Sequence, residues 1–137
     1  EFVGNDLAGL TDNIIVENGG DIFLRSKKSL SIGVFAGEST LSYKVKLIIK
    51  PDETPLGICT SSATVGPSLS FGKADAVCVL SRCATLADAA ASAVGNCVKS
   101  KNDIRKALDF GLKIPGVRGV EIIIENEMGA AGEVTFF

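Results

Sequence analysis

The sequence predicts an α+β domain, with a mainly antiparallel or mixed sheet of about six to seven strands and two consecutive helices at about 85–98 and 101–113. Apolar residues recur at period two in several short stretches. Two helix-start signatures follow one another closely, at Thr85 and Ser100. The resulting order of strands, two helices and strands again is that of an α+β fold. A chain of 137 residues has the size of one domain, taken here as 1–137.

In chain order, Ile14–Val16 and Ile22–Leu24 flank Asn18-Gly19-Gly20-Asp21, a hairpin pattern. Leu30, Ile32, Val34 and Ala36 form the next alternating row. The clearest strand is 41–50, in which Leu41, Tyr43, Val45, Leu47 and Ile49 make one buried face. Residues 57–73 are rich in Ser, Thr and Gly and read as a loop. Ala76–Leu80 is a continuous apolar run, as expected for a strand covered on both faces. Thr85-x-x-Asp88 and Ser100-x-x-Asp103 read as capping boxes, each opening a helix. Ile104, Ala107, Leu108, Gly111 and Leu112 then form one apolar stripe that ends before Pro115. Val120, Ile122 and Ile124 alternate with Glu121 and Glu125, and Val134–Phe137 reads as a closing strand.

Composition excludes several functions. There is no His, which removes His-activated nucleophiles, imidazole bases and histidine zinc sites. Net charge is -2, so there is no cationic excess to grip a nucleic-acid backbone. No apolar run approaches the roughly 18 residues of a membrane span. Cys59, Cys78, Cys83 and Cys97 contain no C-x-x-C pair and are expected as buried free thiols. With no secretory signal at the start, a cytoplasmic location is expected.

Three segments could carry chemistry. In Asn18-Gly19-Gly20-Asp21, paired glycines would let a backbone approach a phosphate or a flat ring, with Asp21 accepting a hydrogen bond, although spacing alone favours a plain turn. In 59–70, Cys59, Thr60, Ser61, Ser62, Ser68 and Ser70 offer a thiol and hydroxyls to an anion. This segment is not a P-loop, because five residues separate Gly66 from Gly72 where that motif has four, and Ala74 follows Lys73. Ser70-x-x-Lys73 lacks the partner motifs of penicillin-recognising enzymes. Cys59 is the candidate nucleophile, against a buried small hydrophobe as the plainer reading. On the first predicted helix, Asp88, Ser92 and Asn96 share one face and could present oxygens to Mg²⁺, against the plainer reading of Asp88 as a cap.

Ala87-Asp88-Ala89-Ala90-Ala91-Ser92-Ala93 resembles the helix motif of ApbE-type FAD:protein FMN transferases. Val16–Ile22 is similar to the Asn-x-Gly-Gly-Asp segment of that family. Val16–Leu24 and Cys59–Ala76 match more closely an ApbE-related family of anaerobic archaea and bacteria. The resemblance implies an ApbE-like fold, Mg²⁺ held by Asp88 and Ser92, and a relation to flavin chemistry. The transferases' His-x-x-Asp-Pro-x-Thr-Gly stretch is replaced here by Gly66–Gly72, so flavin transfer to protein is expected to be lost. It further implies that the chain is the C-terminal part of a longer protein and that Glu1–Leu10 is the tail of a helix.

The leading expectation is a ligand-binding or accessory metabolic protein for an anionic or nucleotide-like ligand, with Asn18, Gly19, Gly20, Asp21, Thr60, Ser61, Ser62, Ser68 and Ser70 around it. The alternatives are a transferase, of FMN or of sulfur through Cys59 in sulfide assimilation into homocysteine, and a structural fragment that packs against a partner or a second copy.

Overall fold

In a computed structural model of the chain, which describes residues 1–66 and 70–137, six strands form one antiparallel sheet and two more form a small second sheet. The elements are α1 (Phe2–Leu7), β1 (Ile14–Asn18), β2 (Asp21–Arg25), β3 (Leu30–Gly33), β4 (Lys46–Ile49), β5 (Leu56–Ser61), β6 (Ala76–Ser81), α2 (Ala84–Cys97), α3 (Ile104–Leu112), β7 (Val117–Ile124) and β8 (Glu127–Gly132). The large sheet runs β1-β2-β5-β6-β7-β8, and β3 pairs with β4 apart from it.

Three layers result, and the sheet's alternation sorts the core between them. On one face Cys59, Val77, Val79, Val120 and Ile122 pack under Ala87, Ala90, Ala91 and Val94 of α2 and Ala107 and Leu108 of α3. On the other face Leu24, Ile58, Cys78, Leu80 and Ile123 meet Leu47 and Ile49 of the small sheet. Covered on both sides, β6 is buried at every residue, as its continuous apolar run requires.

Several expectations need correction. Of 41–50 only Lys46–Ile49 is strand, because Leu41–Lys44 form a turn in which Tyr43 takes a φ of 58°. Residues 57–61 of the expected loop belong instead to β5, one of the two central strands of the large sheet. Val134–Phe137 makes no strand beyond a single bridge from Phe136 to Leu47, whereas Glu127–Gly132 does. The Thr85–Asp88 box does not form: Cys83 is the N-cap of α2, and its first amide, that of Ala84, donates to Glu1 Oε2 at 3.1 Å. The second box does form. Asp103 Oδ2 accepts from the Ser100 amide at 2.9 Å, fixing the short 3-10 turn that leads into α3.

Candidate functional site

A cleft of about 420 Å³ wraps round the neighbouring ends of β2 and β5, within the usual size range of small-ligand sites. Its rim includes the β1–β2 turn. Asn18 and Asp21 are paired across a two-residue loop in which Gly19 and Gly20 both take positive φ, 61° and 101°, as in a type I′ turn. Such values cost glycine little and other residues much. The Gly20 N–H donates to Glu17 Oε1 at 3.1 Å. That amide is therefore already satisfied within the turn.

Three side chains from three elements converge on the cleft wall. Asp21 opens β2, Cys59 is its register partner on β5, and Asp88 reaches down from α2. Their ligand atoms lie within 4.8 Å of one another. The Cys59 thiol donates to Asp21 Oδ1 at 2.6 Å, and Asp88 Oδ1 is 3.8 Å from the same sulfur. Burial, the Asp21 hydrogen bond and the charges of Asp21 and Asp88 all push the thiol well above its ordinary pKa. Cys59 is 3% exposed and belongs to a strand, not to an accessible loop. In this state it is a thiol hydrogen-bond donor, and an activated nucleophile needs the opposite environment.

The other expected residues divide. Thr60, Ser61, Ser62, Gly19, Gly20 and Ser92 line the same cleft. Ser62 Oγ already accepts from the amides of Thr64 at 3.1 Å and Val65 at 2.9 Å, which holds the turn after β5. Asn18 faces a neighbouring hollow on the far side of Asp21 and Asp88. Ser70 is outside the described lining of the cleft and accepts from the Gly72 amide at 3.1 Å, and Ser68 lies outside the described residues. Asn96 accepts from the Phe71 amide at 2.9 Å and so anchors a loop. Sequence reading missed Ile32, Val34 and Phe35, which give the cleft an apolar side, and Cys78, which lies beneath it. The row Leu30, Ile32, Val34 was visible as a strand, but nothing local said what it would face.

The charged side chains among the described lining residues are Glu17, Asp21 and Asp88, all acidic. Neither Asp21 nor Asp88 belongs to any ion pair among the described residues. Two carboxylates with room for water suit a hard cation such as Mg²⁺, and Ser92, one turn beyond Asp88 on α2, adds a neutral oxygen to the same wall.

A family model described as AbpE bacteria matches residues 1–131. The chain belongs to this family. Its relatives include UPF0280 proteins of Methanocaldococcus jannaschii (41% identical, over 89% of this chain and 52% of the relative), Methanocella arvoryzae (46%, over 88% and 49%) and Methanoculleus marisnigri (47%, over 88% and 48%). The chain thus spans about half the length of the curated relatives it matches. These findings correct the ApbE reading: the matches are to the AbpE bacteria family and to UPF0280 proteins, and no ApbE-type FAD:protein FMN transferase family is indicated. The Ala-rich motif that suggested the resemblance has a local cause. Ala87, Ala90 and Ala91 are buried where α2 packs closely on the sheet, a contact that selects small residues in any fold. Among the described residues of this family member, no helix is long and apolar enough to cross a membrane.

Proposed function

We propose that this domain binds a small nucleotide-like ligand, a flat ring joined to a phosphate-bearing tail, with a divalent cation between the tail and Asp21 and Asp88. The observation that carries the reading is the sign of the cleft. Every charged side chain described on its lining is acidic, so an anion entering alone meets repulsion, whereas one entering with a divalent cation meets two carboxylates able to hold that cation. The remainder of the lining suits the rest of such a molecule. Ile32, Val34 and Phe35 offer an apolar surface for a ring, and Thr60 and Ser61 offer hydroxyls that can donate or accept.

Isothermal titration of metal-stripped protein with ADP as probe tests this. ADP is expected to bind in the presence of Mg²⁺ and to lose at least about tenfold in affinity when the cation is chelated, a difference of about 1.4 kcal/mol. Asp21→Asn and Asp88→Asn are expected to abolish the Mg²⁺ dependence. Binding that is indifferent to chelation, or no binding of ADP with Mg²⁺, overturns the proposal.

A further inference from the structure

We propose that Asp21, Cys59 and Asp88 form a site for a thiophilic divalent cation of the Zn²⁺ class, with the Cys59 sulfur as a direct ligand and the open coordination positions facing the cleft. The inference rests on the preceding reading only in placing a cation at Asp21 and Asp88; it adds the third ligand and, with it, the preferred metal, Mg²⁺ being the weaker ion that the two carboxylates hold when the thiophilic one has been stripped.

The donor set decides the metal. Hard cations such as Mg²⁺ take oxygen ligands and leave a thiol aside, whereas a mixed set of one sulfur and two carboxylate oxygens suits a borderline-soft ion. Three donors within 4.8 Å of one another can close on an ion with bonds of about 2.0–2.3 Å after small side-chain adjustments. They come from β2, β5 and α2, and the first two are register partners in one sheet, so the backbone already holds them together. Three protein ligands and a cavity of about 420 Å³ beside them leave a fourth position for water or a bound molecule, the arrangement of an open site and not of a closed structural one.

Cys59 provides an observation independent of the carboxylates. It is nine-tenths buried and lines the cleft, and although its S–H has Asp21 as acceptor, no donor among the described residues reaches the sulfur lone pairs. A small hydrophobe filling a core gap has no need to sit between two acids. On binding, the S–H bond breaks, the sulfur–metal bond forms with the electron pair left on sulfur, and the proton passes to solvent; nothing is oxidised or reduced.

Metal-stripped protein titrated with Co²⁺, in a Cys83→Ser, Cys97→Ser background that removes the two more accessible thiols, reads the sulfur ligand directly. The expected result is a thiolate-to-cobalt charge-transfer absorption saturating at one ion per chain, displaced by Zn²⁺ but not by excess Mg²⁺. In Cys59→Ser this absorption is expected to vanish, and Zn²⁺ affinity to fall by at least about 100-fold, as for a ligand and not only an outer-shell partner. X-ray absorption at the zinc edge of the unsubstituted protein serves even where Cys59→Ser fails to fold, and is expected to show one sulfur at about 2.3 Å. Absence of the charge-transfer band, its survival in folded Cys59→Ser, or a zinc shell without sulfur overturns the inference. Mg²⁺-dependent ADP binding alongside a sulfur-free metal shell would sink this proposal alone. A sulfur-bound metal in protein that ignores ADP would sink the nucleotide reading alone.

Discussion

Glu121 is the buried acid among the described residues. It is 1% exposed, and among the described residues its two carboxylate oxygens are the buried side-chain oxygens with no hydrogen-bond partner. Its place on β7 explains this. Val120 and Ile122 face the helices, so Glu121 between them must face the small sheet, directly opposite Cys78 of β6 and Ala130 of β8. Neither supplies a cation, and the Cys78 thiol, itself pushed up to about 12 by burial, stays neutral. Burial alone raises Glu121 from 4.5 to about 7. Between those two values the folded chain holds a proton that the unfolded chain has released, so stability is fully present below about 4.5 and is lost as pH rises through 7. The loss is on the order of 3 kcal/mol. Glu121→Gln removes the titration while keeping the shape. Urea unfolding of both proteins from about pH 5 to about pH 8 is expected to show the difference in stability shifting in favour of the variant as pH rises; a difference that stays constant across that window refutes a carboxyl held protonated by burial.

The contact between β5 and α2 shows how elements, once paired, position the site. A Cβ on Gly57 would lie 2.4 Å from the Ala84 nitrogen and 2.5 Å from the Cys83 carbonyl carbon, both backbone atoms with little freedom to yield. The absent side chain lets the start of α2 rest on the strand two residues before Cys59. Gly57→Ala is therefore expected to cost about 1–3 kcal/mol by overpacking, while Gly9→Ala, which has nothing within 4 Å of the added carbon, stays within about 0.5 kcal/mol. Chemical denaturation checks both, and equal effects would mean that α2 can lift without loss. Sequence patterns disclosed the elements held by local chemistry: the Asn18–Asp21 hairpin, the Ser100–Asp103 box and the apolar run of β6. They failed where distant contacts decide. The glycine, cysteine and hydroxyls of β5 resemble a loop until β2 and β6 pair on either side, and β8, all small or polar apart from Met128, is a strand only because β7 offers it an edge. Asp21, Cys59 and Asp88 could each be singled out from the sequence. Their meeting could not, since it depends on β2 pairing with β5 across thirty intervening residues.

Three layers held with unequal strength make the molecule's opening motions predictable. β6 has a strand on each side and is buried throughout, and β5 and β7 flank it. β3 and β4, by contrast, pair only with each other as strands and are tied to the rest by apolar packing and by a few backbone bonds to the last residues, Ile48 N–H to Thr135 at 2.8 Å and Phe137 N–H to Lys46 at 3.1 Å. Local opening takes the elements with fewest such ties first. Amide hydrogen exchange is therefore expected to be slowest in β6 and its two neighbours, close to the global limit, and faster in β3 and β4. The cleft adds a consequence, because Ile32, Val34 and Phe35 line it from the outer layer while Asp21 and Cys59 line it from the large sheet. A molecule filling it touches both and is stabilising only while they stay together. With Mg²⁺ and ADP present, exchange across 30–35 is expected to slow, with β6 changed only by the global increment. ADP bound with no change at 30–35 would mean that the outer layer is not a wall of the site, and equal exchange in β3 and β6 without ligand would mean that the layers unfold as one.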